Sequence, residues 1–341
     1  MTLPQGLAWQ QLRQEALAVF PKGTSLSRNK PSTLAEWYRS GVIIPSVSSH
    51  RKSLAFLAPQ SEIAKVLLSE SALFLDAATE HAVTARNQLN AGRWYSAAWL
   101  CVTFYYWAFF LALSFTRMTS RTVVFLNKTT IADLHLISGS NDPSPGAGAY
   151  ILVCTNSNTP NLLSFEVSKS RESRLHELLW KVLFERIKAL REISGNSNPD
   201  EERLFRTLEL TFDRLGDAWP SDLRNIANYS PGKAYSAGRQ KSNFYGFGHI
   251  QVNQPLSFED SLNRLENNVL SIPANSTISA YPKLAVSILI DLTFALHRIA
   301  QQLQEDVIER RDIDRRWLTS RAEFLKLNCE IETDKGWPYR N

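Results

Sequence analysis

Apolar residues recur every three to four positions along most of the chain, and Pro, Gly, Asn and Ser cut these runs into separate elements. Leu7, Trp9, Leu12, Ala16, Leu17 and Phe20 predict a helix over Gly6–Phe20, stopped by Pro21 and Gly23. Residues 21–60 are broken by Pro21, Pro31, Pro45 and Pro59. They predict one short helix near Thr33–Ser40, capped by Ser32 or Thr33, and an extended Val42–Val47. Ile63, Val66, Leu67, Leu73, Leu75, Ala78 and Val83 predict a helix over Ser61–Asn90. A polar turn, Asn87–Arg93, then leads into the most apolar segment of the chain.

Trp94–Thr116 is twenty-three residues without a charge, ten of them aromatic, bounded by Arg93 and Arg117. About 20 apolar residues suffice to cross a bilayer as a helix, so a membrane span is one reading. The other is the central helix of an all-α domain, apolar all round because neighbours cover every side. Tyr105 and Tyr106 stand mid-segment, where each hydroxyl needs a partner, and Ala97, Ala98, Ala108 and Ala112 let neighbouring helices approach.

Beyond Arg121 the periodicity changes. Val123–Leu126, Tyr150–Thr155 and Leu162–Val167 are strand-like, the last two joined as a hairpin across Asn156–Asn161, so 122–169 reads as a β-containing insertion. Helical periodicity returns over Ser170–Ile193 and Asp200–Leu215. Ser221 is placed to cap a short helix carrying Leu223–Tyr229, 230–256 reads as a loop, and Ser257–Ser271 and Ala280–Arg310 close the fold. The expectation is a mainly α protein: a helical bundle of 61–121 and 170–310 around the aromatic helix 94–116. It carries the β insertion, an N-terminal segment 1–60 and a C-terminal extension 311–341.

A hydrophobic fraction of 44% with 21% charged residues is that of a globular chain and excludes wholesale disorder in the 341 residues. Cys101, Cys154 and Cys329 are odd in number and far apart, which offers neither a disulfide framework nor a metal spacing. With no apolar core of a signal peptide near Met1, a cytoplasmic protein is expected. Residues 1–52 hold seven basic and two acidic side chains, an excess equal to the net charge of +5 on the whole chain. Such a segment suits either a solvated surface or attraction to phosphate backbones.

The chain has no phosphate loop ending in Lys-Ser/Thr, no dinucleotide fingerprint and no Gly-x-Ser-x-Gly elbow. Its six histidines, His50, His81, His135, His176, His249 and His297, are dispersed, and only His176 has a potential ligand partner one turn away, Glu172. No metal or cofactor is implied. One stretch does group donors: Arg224, Asn225, Asn228 and Tyr229 lie within about one helical turn of one another. Arg supplies a charged fork for a phosphate there. It serves equally as a structural Arg capping carbonyls, with Tyr229 packed on the aromatic helix.

Gly92-Arg93, small residues and Tyr105-Tyr106-Trp-Ala-Phe109-Phe110, followed much later by Leu223-Arg-Asn-Ile-Ala-Asn-Tyr-Ser-Pro231, resemble the HEPN superfamily of all-α domains, and the intervening β insertion is similar to its YaaC-like branch. The resemblance covers about 61–121 and 170–235. It implies a helical bundle that often dimerises. In catalytic members an Arg, its polar neighbour and a His, with four to six residues between Arg and His, cleave RNA without a metal across the dimer interface. Arg224 matches the Arg and Asn225 its neighbour, but Tyr229, Ser230 and Pro231 occupy the positions where His is expected. A His of near-neutral pKa contributes roughly 10²–10⁴ in rate as an acid or base, whereas a phenol near pKa 10 is a poor base at neutral pH.

The resemblance therefore implies Arg224, Asn225 and Tyr229 as the chemical residues, with Arg93, Asn228 and Lys233 toward the RNA phosphates, and leaves catalysis open. Three functions follow as alternatives. One is an RNA-cleaving or RNA-binding effector of a bacterial toxin or phage-defence system. The second is a non-catalytic interaction subunit, paired with a second copy or an operon-encoded partner. The third is a single-span membrane protein.

Overall fold

The computed structural model describes residues 3, 5–24, 33–46, 53–90, 96–140, 146–170, 174–195, 198–229, 258–274, 276–278, 280–311 and 313. Among these, ten helices and five strands follow in the order α1 Leu7–Val19, α2 Leu34–Ser40, β1 Ile44–Ser46, β2 Ser53–Pro59, α3 Gln60–Asn90, α4 Ala97–Arg117 and β3 Arg121–Leu126. Next come α5 Lys128–Ser138, β4 Gly148–Asn156, β5 Leu162–Lys169, α6 Leu175–Ser194 and α7 Pro199–Leu215. The chain continues through α8 Trp219–Tyr229, α9 Phe258–Leu270 and α10 Pro282–Arg310. The fold is mainly α with one antiparallel sheet, as its sequence pattern indicates.

Helix α4 is the centre. It packs along α3 and α10 and also meets α6, α8 and β3, so nearly every side chain on it is buried. Ser96 opens it by accepting the Trp99 amide. By length and composition α4 and α10 could each cross a membrane, yet 83% of the apolar window of each is buried against the rest of the chain. Neighbouring helices thus cover the surface that makes α4 so apolar.

The sheet runs β1-β2-β5-β4-β3. The anticipated hairpin is β4 with β5, in register from Tyr150 opposite Lys169 to Asn156 opposite Leu163. Two strands come from outside the 122–169 segment: β2 pairs with β5, Phe56 opposite Phe165, and β1 pairs with β2. The N-terminal segment is thereby built into the sheet. Between β3 and β4 the chain forms α5, which the β-containing reading of 122–169 did not include; Asn127 caps it through the Thr130 amide at 2.8 Å.

The N-terminal helix is docked by two buried carboxylates. Glu201 of α7 accepts the Gly6, Ala8 and Trp9 amides at 2.9, 3.0 and 2.8 Å, so an anion sits where the helix leaves its first donors unpaired. A Cβ on Gly6 would fall 2.2 Å from a Glu201 carboxylate oxygen, and the close approach requires glycine. Asp306 of α10 accepts from Trp9 Nε1 and Arg13 Nε, both at 3.0 Å. At the other end of the core, Arg117 closes α4 with a buried ion pair to Glu70 at 2.6 Å and a bond to the Val123 carbonyl at 2.8 Å.

Candidate functional site

Helix α8 starts at Trp219, one turn earlier than its periodicity suggests, which puts Ser221 inside the helix rather than at its cap. Ser221 instead lies 3.3 Å from the Tyr105 hydroxyl. Leu223 and Ala227 bury one side of α8 against the core, and Arg224 emerges half-buried beside them. Among the described residues its guanidinium does not cap carbonyls. Nη1 donates to Asn225 Oδ1 at 2.9 Å and Nη2 donates to the Tyr106 hydroxyl at 3.0 Å. Cζ stands 5.9, 5.8 and 5.9 Å from the ring centroids of Tyr105, Tyr106 and Tyr229. Three phenols therefore surround the cation at distances where a ring quadrupole attracts it.

Burial disfavours the guanidinium charge, but the Tyr106 bond and the surrounding phenols outweigh it and hold its pKa above the ordinary arginine value. Arg224 is cationic at every working pH. Its Nε is buried and has no hydrogen-bond partner among the described residues. An unpartnered N–H on a buried charged group is costly.

Beside this fork lies an imidazole that the sequence motif lacks. His176, on the first turn of α6, has Nδ1 2.7 Å from the Tyr105 hydroxyl. Its ring stacks on Phe109 at 4.3 Å and meets the Tyr106 ring edge-on at 6.3 Å. The Tyr105 oxygen also receives Trp180 Nε1 at 3.5 Å. Burial pushes the Tyr105 hydroxyl up to about 12, partly offset by the Ser221 and Trp180 bonds, so it stays protonated through the neutral range. Burial, then the nearby Arg224 cation, lower the His176 pKa, with Glu177 acting weakly the other way. At neutral pH His176 is the neutral imidazole that a proton acceptor must be.

A second histidine joins from α3. The His81 ring lies nearly parallel to Tyr106 and Phe110, at 5.7 and 5.5 Å, and burial lowers its pKa. Both tyrosine hydroxyls of α4 thus have partners, as their mid-helix position demands.

Of the residues expected from sequence, Arg224, Asn225 and Tyr229 come together, and Tyr229 is 72% exposed against Arg224 rather than packed into the aromatic helix. Asn228 is half-buried on α8 and does not join Arg224 among the described residues. Arg93, Lys233, His249 and Glu172 lie outside the described residues. The sequence reading missed His176, Tyr105, Tyr106 and His81 as site residues. His81 stands seven residues from Phe74, one stripe of α3, and that spacing alone could have placed it against the aromatic helix. Among the described residues, no three of His, Cys, Asp and Glu converge as metal ligands would. Compared with known protein families, characterised proteins and solved structures, the chain matches none.

Proposed function

We propose that the Arg224 cluster binds the phosphodiester of RNA and cleaves it without a metal, and that the chain is a HEPN-like effector of the kind bacteria use in toxin and phage-defence systems. The observation that carries this reading is that Arg224 and His176 bond the adjacent hydroxyls of the Tyr105–Tyr106 pair, which brings a guanidinium and an imidazole to one place. Arg224 stabilises the charge that builds on the phosphoryl oxygens. Asn225 and Tyr106 fix the fork, since each holds one of its terminal nitrogens. His176 supplies the acid–base function that Tyr229 cannot at neutral pH. A chain acting on cellular RNA in this way would be cytoplasmic, and the burial of α4 supports a protein without a membrane span.

The test is to incubate the purified protein with transfer RNA or total RNA beside Arg224→Ala and His176→Ala. The reading expects cleavage by the wild type and roughly 10²-fold or greater loss in each variant, the size of an electrostatic or acid–base contribution. Equal cleavage by all three, or none by the wild type, would refute it.

A second reading is supported by a different observation. Strand β3 is an edge of the sheet, with Phe125 exposed on it and Leu136 exposed on the following helix. A strand that pairs on one side only among the described residues, beside apolar side chains, suits pairing with another chain. In that case the protein is a non-catalytic HEPN-like interaction subunit, in a homodimer or with an operon-encoded partner. Phe125→Lys would then abolish co-purification of that partner while leaving RNA untouched.

A further inference from the structure

Tyr106 is half-buried, and three groups of complementary chemistry meet around its ring from three different helices. His81 of α3 lies over it at 5.7 Å and 19°, and His176 of α6 meets it at 6.3 Å and 78°. Arg224 of α8 is 5.8 Å from its centroid and bonded to its hydroxyl.

We infer that His81 and His176 are the two proton-transfer groups of one centre, placed about the phosphate that Arg224 holds, so that a single chain carries the cation, the base and the acid. The inference rests on the reading of the Arg224 cluster as a phosphodiester site. His176 takes the proton of the ribose 2′-hydroxyl, and the 2′-oxygen forms a bond to phosphorus. The bond from phosphorus to the 5′-oxygen of the next nucleotide breaks, and the proton of His81 goes to that oxygen. The products are a 2′,3′-cyclic phosphate and a free 5′-hydroxyl. Proton exchange with water resets both rings, and no oxidant, reductant or further reactant is consumed.

The roles follow from the neighbours of each ring. Against His176 stand the Arg224 cation of α8, the Tyr105 hydroxyl of α4 and Glu177 of its own helix. The cation disfavours a second positive charge there, which suits the base. His81 faces Tyr106 and Phe110 of α4; burial disfavours its charge, and an entering anionic phosphate offsets that cost and lets it carry the proton.

The test uses a short mixed-sequence single-stranded RNA in chelator, with its 2′-O-methyl counterpart as the uncleavable ligand. His81→Phe keeps the stacking ring and removes only the proton. It is expected to lose roughly 10²–10⁴ in rate, to lose the alkaline limb of the pH profile, and to bind the 2′-O-methyl strand as the wild type does. Arg224→Ala is expected to lose that binding. Mixing His81→Phe with Arg224→Ala is expected to restore nothing. Wild-type rate in His81→Phe, or recovery on mixing, overturns the assignment while the phosphodiester reading stands. Loss of binding together with rate in His81→Phe overturns it also, as a structural role. No cleavage by the wild type overturns both together.

Discussion

Tyr105 Oη and His176 Nδ1 lie 2.7 Å apart, joining residues separated by 71 positions in the chain. This contact ties α4 to α6 at the edge of the Arg224 site. It makes the central helix part of the proposed site as well as its scaffold, because Tyr105 and Tyr106 bond the imidazole and the guanidinium in turn.

Tyr105→Phe tests that coupling. The ring stays, but Trp180 Nε1, Ser221 Oγ and His176 Nδ1 lose a shared partner in a largely buried place. A destabilisation of about 1–3 kcal/mol is expected in urea unfolding, the cost of leaving buried polar groups unpaired. RNA cleavage should fall further than the stability loss explains, because His176 would no longer be oriented. Unchanged unfolding and unchanged cleavage would show that the contact matters for neither.

The pH profile of cleavage carries its own signature. Both imidazoles titrate below the ordinary histidine value, His81 through burial and His176 through burial and then Arg224. A base needs its neutral form and an acid its protonated form, so kcat/KM peaks between the two free-enzyme pKa values. The maximum is therefore expected below about pH 6.5. A rate still climbing above neutrality would contradict the assignment of both groups.

Asp291 offers a linkage test away from the site. It is fully buried on α10, paired with Arg264 at 2.8 Å, and has one carboxylate oxygen without a partner among the described residues. Burial raises its pKa from 3.8 to about 6, against the Arg264 bond and charge. The folded state thus holds the proton to higher pH than the unfolded state, so this group lowers stability as pH rises from about 4 to about 6. The full term is about 3 kcal/mol at 1.36 kcal/mol per pKa unit. In Asp291→Asn the difference in unfolding free energy from wild type should shift in the variant's favour across that window. A parallel pair of stability curves would rule the buried titration out.

The docking of α1 depends on Glu201, which accepts three backbone amides at its N-terminus. Glu201→Ala leaves those donors buried and unpaired. A loss of about 2–4 kcal/mol is expected, with amide exchange accelerating over Leu7–Val19 before the rest of the protein. Gly6→Ala should act the same way, since its Cβ would meet the carboxylate. Exchange in α1 matching the wild type in both variants would show the cap to be idle.

The helices were legible because each rests on local signals. Thr33 caps α2 with Glu36 returning the bond, and α7 starts at Asn198 and Pro199 and ends at Gly216, whose φ is +97°. Strand β2 was not legible: Ser53–Pro59 is short, ends in Pro, and becomes a strand only by pairing with β5 over a hundred residues away. Helix α5 was lost within a segment dominated by strand-like runs. The site divides in the same way. Arg224, Asn225 and Tyr229 are neighbours on one helix and could be read from spacing. His81 and His176 meet Tyr106, the partner of Arg224, only because α3 and α6 both pack on α4, and no local periodicity encodes that meeting. The absent histidine after Arg224 was a true feature of the linear motif, yet imidazoles stand beside the arginine in space.

The central claim is that Arg224 holds a phosphodiester for cleavage, and Arg224→Lys measured beside Arg224→Ala tests it most directly. Lysine keeps the charge but cannot bond Tyr106, Asn225 and a phosphate at once through a planar fork. With a defined single-stranded RNA in chelator, the wild type should produce 2′,3′-cyclic phosphate ends, the Ala variant should lose binding and cleavage, and the Lys variant should retain part of the binding with little cleavage. Cleavage by Arg224→Ala at the wild-type rate, or intact RNA after incubation with the wild type, would contradict it.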